Sequence, residues 1–175
     1  MQPATSCADD WLAAAVDVHY PASGGARAAA VLTTDVSFAP VAGELVVAVD
    51  EVLPYQPGAF YLRELPPLRA LLAGQDDLRL VVVDGYADLD DRGRPGLGAC
   101  LHAELGIPVI GVAKSAFRTA THAIPVLRGT STRPLFVTAA GLPRDDAADL
   151  VRHMGGMFRI PDALRRADAL ARKSR

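Results

Sequence analysis

Apolar and polar positions change their period several times along this chain. Trp11–Tyr20, Arg27–Thr34 and Glu44–Val52 alternate or run apolar in strand fashion, separated by turns such as Pro21-Ala22-Ser23-Gly24-Gly25. Three strands joined by turns predict an antiparallel meander. Pro54-Tyr55-Gln56-Pro57-Gly58 then breaks the chain, and Phe60, Leu62, Leu65, Leu68, Leu71 and Leu72 recur at helical spacing up to Gly74. Leu80–Asp84 is a β-branched run, the pattern of a strand buried on both faces, and it stops at a carboxylate before Gly85. A polar loop, Gly85–Arg94, precedes a helix over Pro95–Leu105 and an all-apolar strand over Pro108–Val112. Ile124–Leu127 and Leu135–Thr138 read as an edge hairpin, and Asp145–Met157 and Asp162–Lys173 as two closing helices.

The β-α-β succession around Leu80–Asp84 implies a parallel pair with a crossover helix. A meander followed by helix, strand, helix and strand is the element order of an α/β, ribonuclease-H-like mixed sheet flanked by helices. Asp84 ends the central strand, where open α/β sheets place their chemistry. Asp17 closes the similar run Ala13–Val16, so the two carboxylates converge if their strands are neighbours. Glu64, in the first helix, is the third acid of that arrangement.

Composition narrows the picture. A chain of 175 residues that is 50% apolar suits one domain, expected over 11–175 after a disordered lead of residues 1–10. Cys7 and Cys100 form no CxxC or Cys/His spacing, so neither a disulfide framework nor a zinc site is expected. The start of the chain lacks a basic segment followed by an apolar one, and no apolar run reaches membrane-spanning length. The expectation is a cytoplasmic, membrane-free monomer. A net charge of −2 argues against a general polycation that coats nucleic acid, but residues 159–175 hold six basic residues and two acids, a local balance of +4 able to touch phosphates.

Four motifs then carry a resemblance. Pro54-Tyr55-Gln56-Pro57-Gly58, Arg63-Glu64 with Pro66, Val83-Asp84-Gly85, and Gly106-Ile107-Pro108-Val109-Ile110-Gly111-Val112-Ala113-Lys114-Ser115 stand in the order and at the intervals of the endonuclease V family, the deoxyinosine 3′ endonucleases. Arg159-Ile160-Pro161-Asp162 with Arg166-Ala167-Asp168 resembles the family's closing segment. The resemblance implies a Mg²⁺-dependent DNA-repair nuclease, with Mn²⁺ able to substitute, that hydrolyses the second phosphodiester 3′ to inosine in DNA or RNA. It assigns metal-site roles to Asp17, Asp84, Glu64 and Asp168, the scissile phosphate to Lys114, and a wedge that fills the gap of the displaced base to Tyr55 in its Pro54–Pro57 turn. A tight pocket reading the base's six-position oxygen is expected near Gly85 and Gly111.

The residue types suit that chemistry. Hard divalent cations prefer carboxylate oxygens, a lysine adds positive charge without bidentate geometry, and prolines stiffen an aromatic wedge. Departures are also visible. The family continues after Val83-Asp84-Gly85 with His-Gly and then His-Pro-Arg-Arg, whereas this chain has Tyr86-Ala87 and a loop bearing Asp88, Asp90 and Asp91. Three acids beside a nucleic-acid groove weaken phosphate binding. Two alternatives therefore stand beside the nuclease: a catalytically weak nucleic-acid-binding relative, and a ribonuclease-H-like nuclease with another substrate.

Overall fold

The computed structural model describes residues 12–54, 56–57 and 59–173; the expected disordered lead, Trp11 and Tyr55 lie outside them. Strands β1 (Leu12–His19), β2 (Ala26–Thr33) and β3 (Gly43–Val49) form the meander, followed by α1 (Tyr61–Leu72), β4 (Leu78–Asp84), α2 (Leu97–Leu105) and β5 (Val109–Ala113). Then come β6 (Ile124–Val126), β7 (Leu135–Ala140), α3 (Arg144–His153) and α4 (Asp162–Arg172). The seven strands form one sheet in the order β3-β2-β1-β4-β5-β7-β6, with β1, β4 and β5 mutually parallel.

Strand alternation sorts the core into two layers. Ala13, Ala15, Leu80, Val82, Ile110 and Val112 face α3 and α4, where Ala147, Val151, Leu164 and Ala167 are buried. Ala14, Val16, Val81 and Val83 face α1 and α2 through Leu68, Leu71, Leu72, Leu97 and Leu101. Both faces of β4 are covered, which explains its uninterrupted apolar run. Pro125 is tolerated in β6 because that strand is the sheet's edge.

β1 runs to His19, close to the expected end at Tyr20, but Asp17 lies inside it rather than closing it, held there by β2 through Asp17 opposite Ala29 and His19 opposite Arg27. Its parallel ladder with β4 does end at Val16 opposite Val83. The helix expected to reach Met157 stops at His153. Gly155 and Gly156 follow, and the carbonyls of Met154, Gly155, Gly156 and Phe158 accept hydrogen bonds from the buried Arg128 guanidinium. Those four carbonyls are spent on a side chain rather than on a continued helix.

Candidate active site

The site lies at the carboxyl end of the three parallel strands. Asp17 and Asp84 follow Val16 and Val83, the last matched pair of neighbouring strands. Lys114 follows the end of β5 and forms an ion pair with Asp84. Glu64 enters from the first turn of α1, where it lines the same recess as Asp17 and Asp84 together with Leu68 and Leu97. Pro66 and Pro67 stand inside that helix and cannot donate its internal hydrogen bonds. Asp168 comes from α4, hydrogen-bonded to Asp17 and, at 2.7 Å, to Arg172.

Electrostatics mark these acids as crowded. Burial first, then repulsion from Asp84 and the hydrogen bond with Asp168, push the Asp17 carboxyl up to about 7. Burial, Asp17 and Asp84 push Glu64 up to about 8, with Arg63 opposing. Burial also raises Asp168, but hydrogen bonds from Arg172 and Asp17 outweigh it, and its net shift is downward. Among the described residues, no three His, Cys, Asp or Glu side chains are already drawn into a ligand cage. Asp84 instead turns to Lys114, and Asp168 to Arg172 and Asp17. The donor set still fits a hard divalent cation: carboxylate oxygens from two strands and two helices, crowded enough that a cation relieves their repulsion.

Beside the acids, on the α1/α2 side, is a cavity of about 420 Å³ lined chiefly by Phe60, Tyr61, Glu64, Asp84, Tyr86 and Phe117. Gly85, Leu89, Gly96 and Leu97 complete the lining. The Tyr86 hydroxyl donates to Ser115 O and accepts from Phe117 N–H, both at 2.9 Å, so it ties the turn after β4 to the segment after β5. The two rings lie 5.8 Å apart. Sequence reasoning missed these aromatics, because the loops that carry them meet only through those long-range bonds. It also missed Tyr20, just beyond β1, whose ring centroid lies 3.9 Å from the Arg63 guanidinium and edge-on to Phe60.

The remaining expectations divide. Gly85 lines the cavity, but its N–H donates to Val112 O at 3.0 Å. Gly111 is buried within β5 and outside the cavity lining. Its lack of a side chain serves packing: a Cβ there would lie 2.4 Å from Ala87 N and 2.7 Å from Gly85 O, so only glycine lets the turn after β4 lie on β5. Pro54 is exposed in the loop before α1, and Tyr55 lies outside the described residues. Within the acidic loop, Asp90 is satisfied by its neighbours. Asp90 accepts from the amides of Arg94 and Arg92 at 2.9 and 3.0 Å, and the Arg94 amide, first among its causes, holds it below the ordinary carboxylate value. Asp88 faces His122 at 3.0 Å.

A ribonuclease-H-like sheet with crowded acids at the ends of its parallel strands belongs to a class of nucleases. The family model for Endonuclease V matches residues 4–169. Endonuclease V of Streptomyces coelicolor is 36% identical over 179 residues, spanning 90% of this chain and 76% of that one. The crystal structure of the endonuclease V of Streptomyces avermitilis superposes with a TM-score of 0.76 at 30% identity, covering 92% of this chain and 79% of the other. A Ciona intestinalis endonuclease V, crystallised with a 24mer DNA containing an inosine followed by a ribo-adenosine, shares the fold with a TM-score of 0.75 at 21% identity, covering 93% and 84%. The chain belongs to the endonuclease V family.

Proposed function

We propose that this protein is a divalent-metal-dependent endonuclease that cuts the second phosphodiester 3′ to an inosine in nucleic acid. One observation carries the reading: four carboxylates and Lys114 gather at one sheet end, directly beside an aromatic-walled cavity of about 420 Å³. A flat base fits such a slot, and a phosphate one or two linkages away then reaches the acids. The inosine-containing DNA bound by the Ciona relative supports that substrate class.

Asp17 and Asp84 would hold Mg²⁺, or Mn²⁺ in its place, with Glu64 and Asp168 completing the donor set. The cation would supply Lewis-acid relief of charge on the phosphoryl group and activation of the attacking water. Lys114 would exchange its contact with Asp84 for the phosphate, a fixed positive charge where negative charge grows. Asp17, its carboxyl pushed up to about 7, would give up any proton it holds when a cation arrives. Tyr86 and Phe117 wall the base slot, and Tyr55 takes the wedge role on the strength of the family resemblance.

The test is cleavage of end-labelled strands with and without one inosine, in Mg²⁺ and in EDTA, with the Asp84→Asn variant alongside. A metal-dependent cut one linkage beyond the inosine's own, absent in the variant, is expected. A folded protein that cuts neither strand in Mg²⁺ or Mn²⁺ would overturn the reading.

A further inference from the structure

Met157 and Phe158 are held in solvent by unusually firm machinery. Met157 is 77% exposed and Phe158 56%, an arrangement that hydrophobicity alone disfavours. Beneath them the buried Arg128 guanidinium grips the backbone from Met154 to Phe158, with 3.0 Å to Gly156 O and 3.2 Å to Phe158 O. Gly129 approaches so closely that a Cβ there would lie 2.2 Å from Met157 O. Arg159 then fastens the segment to Pro134 O at 2.8 Å, to Arg133 O at 3.0 Å, and to the carbonyl of Lys114 itself. Over the Phe158 ring lies the Arg165 guanidinium, 4.6 Å from the centroid, also paired with Asp162 at 3.2 Å.

Topology places this platform on the path of a strand. β7 is antiparallel to β5, with Phe136 opposite Ala113, so Pro134 emerges at the same sheet end as Lys114. Asp168 and Arg165 share α4, on the sheet face opposite α1 and α2. The base cavity and the platform therefore flank the carboxylates from opposite sides. We propose that Phe158, backed by Arg165 and flanked by Met157, is a stacking platform for a nucleotide of the cleaved strand on the 3′ side of the cut. An exposed aromatic among arginines, rigid and continuous with the phosphate site, suits an unstacked base of a single strand. The inference rests on the nuclease reading for its direction, since the base enters on one side of the acids and the 3′ segment leaves on the other.

The experiment is fluorescence anisotropy of single-stranded DNA carrying one inosine and 3′ extensions of increasing length, in EDTA so that no strand is cut. Affinity for the whole chain is expected to rise once the extension reaches the platform. Phe158→Ala is expected to lose about ten-fold on the longer strands alone. The slope of log Kd against log salt stays unchanged, because no charge is removed. Phe158→Trp restores the affinity and Phe158→Leu does not. Equal length dependence in wild type and Phe158→Ala would overturn the proposal, as would full binding by Phe158→Leu. It would also fall if Phe158→Ala abolished self-association in sedimentation while DNA affinity stayed the same. Replacing inosine with adenosine separates the two readings. If selectivity for inosine fails but both strands lose affinity in Phe158→Ala, the platform stands without the proposed substrate. If inosine strands are bound more tightly than adenosine strands but their length dependence ignores Phe158, the substrate reading stands without the platform.

Discussion

Asp17 and Asp84 stand one residue beyond the last matched pair of a parallel ladder, Val16 opposite Val83, so two neighbouring strands deliver their carboxylates to one spot. The proximity is built into the sheet's hydrogen bonds rather than left to flexible side chains. Asp84→Asn removes a charge and a hard oxygen ligand at nearly constant shape. Cleavage is expected to fall at least ~100-fold, the scale of losing a fixed transition-state contact, while thermal unfolding changes little. Turnover near wild type, measured on an inosine-containing strand, would refute the site.

The same crowding makes stability depend on pH. Asp17 and Glu64 have folded-state values of about 7 and about 8, above their ordinary 3.8 and 4.5. Between those limits the folded protein binds more protons than the unfolded chain, so stability falls as pH rises. Their contribution is fully present below about pH 4 and lost by the time pH passes their folded values. Melting in EDTA from pH 4 to 9 is expected to show that decline beyond what Glu64→Gln shows. Mg²⁺ is expected to raise the melting temperature more at pH 8 than at pH 5, since protons compete for the same oxygens. Identical profiles for wild type and Glu64→Gln would contradict the assignment.

Much of this was legible in the chain, for a physical reason. Leu80–Val83 carries the pattern of a doubly covered strand, and the Gly106–Ser115 motif located β5 with Lys114 just beyond its end. Local pattern also revealed the meander and α1, because β1 and β2 are near-continuous apolar runs, β3 alternates, and α1 buries one regular face. What stayed hidden depends on contacts between distant segments. Arg128, 26 residues before Met154, ends α3 earlier than its apolar pattern implies. The acids of the 85–94 loop looked repulsive in sequence, yet Asp88 lies 3.0 Å from His122 and Asp90 accepts from the amides of Arg92 and Arg94. Gly111 belonged to a recognised motif, but its purpose shows only where the turn after β4 presses on it.

Tyr86 tests how far the cavity wall depends on one hydroxyl. Tyr86→Phe keeps the ring but removes the bridge between Ser115 O and Phe117 N–H. Stability is expected to drop by about 1 kcal/mol, the net worth of a typical hydrogen bond. The clearer sign is kinetic. KM for inosine strands is expected to rise several-fold with kcat nearly unchanged, because the slot loosens while Asp84 and Lys114 keep their places. A fall in kcat at constant KM would place Tyr86 in the chemistry instead.

Gly111→Ala tests the packing beneath the site without touching any charged group. The added methyl would meet Ala87 N at 2.4 Å, Gly85 O at 2.7 Å and Thr138 Oγ1 at 2.7 Å. The first two are backbone atoms, and Thr138 Oγ1 is committed to accepting from Ala87 N–H at 2.7 Å. No flexible side chain is there to yield, so the turn itself must lift from β5. A loss of roughly 1–3 kcal/mol in urea unfolding is expected, the usual range for overpacking a filled interior. Because Gly85–Ala87 leads directly from Asp84 into the cavity wall, the same variant is expected to lose selectivity for inosine over adenosine under conditions where it remains folded. A variant as stable and as selective as the wild type would show that the turn does not rest on β5 through this glycine.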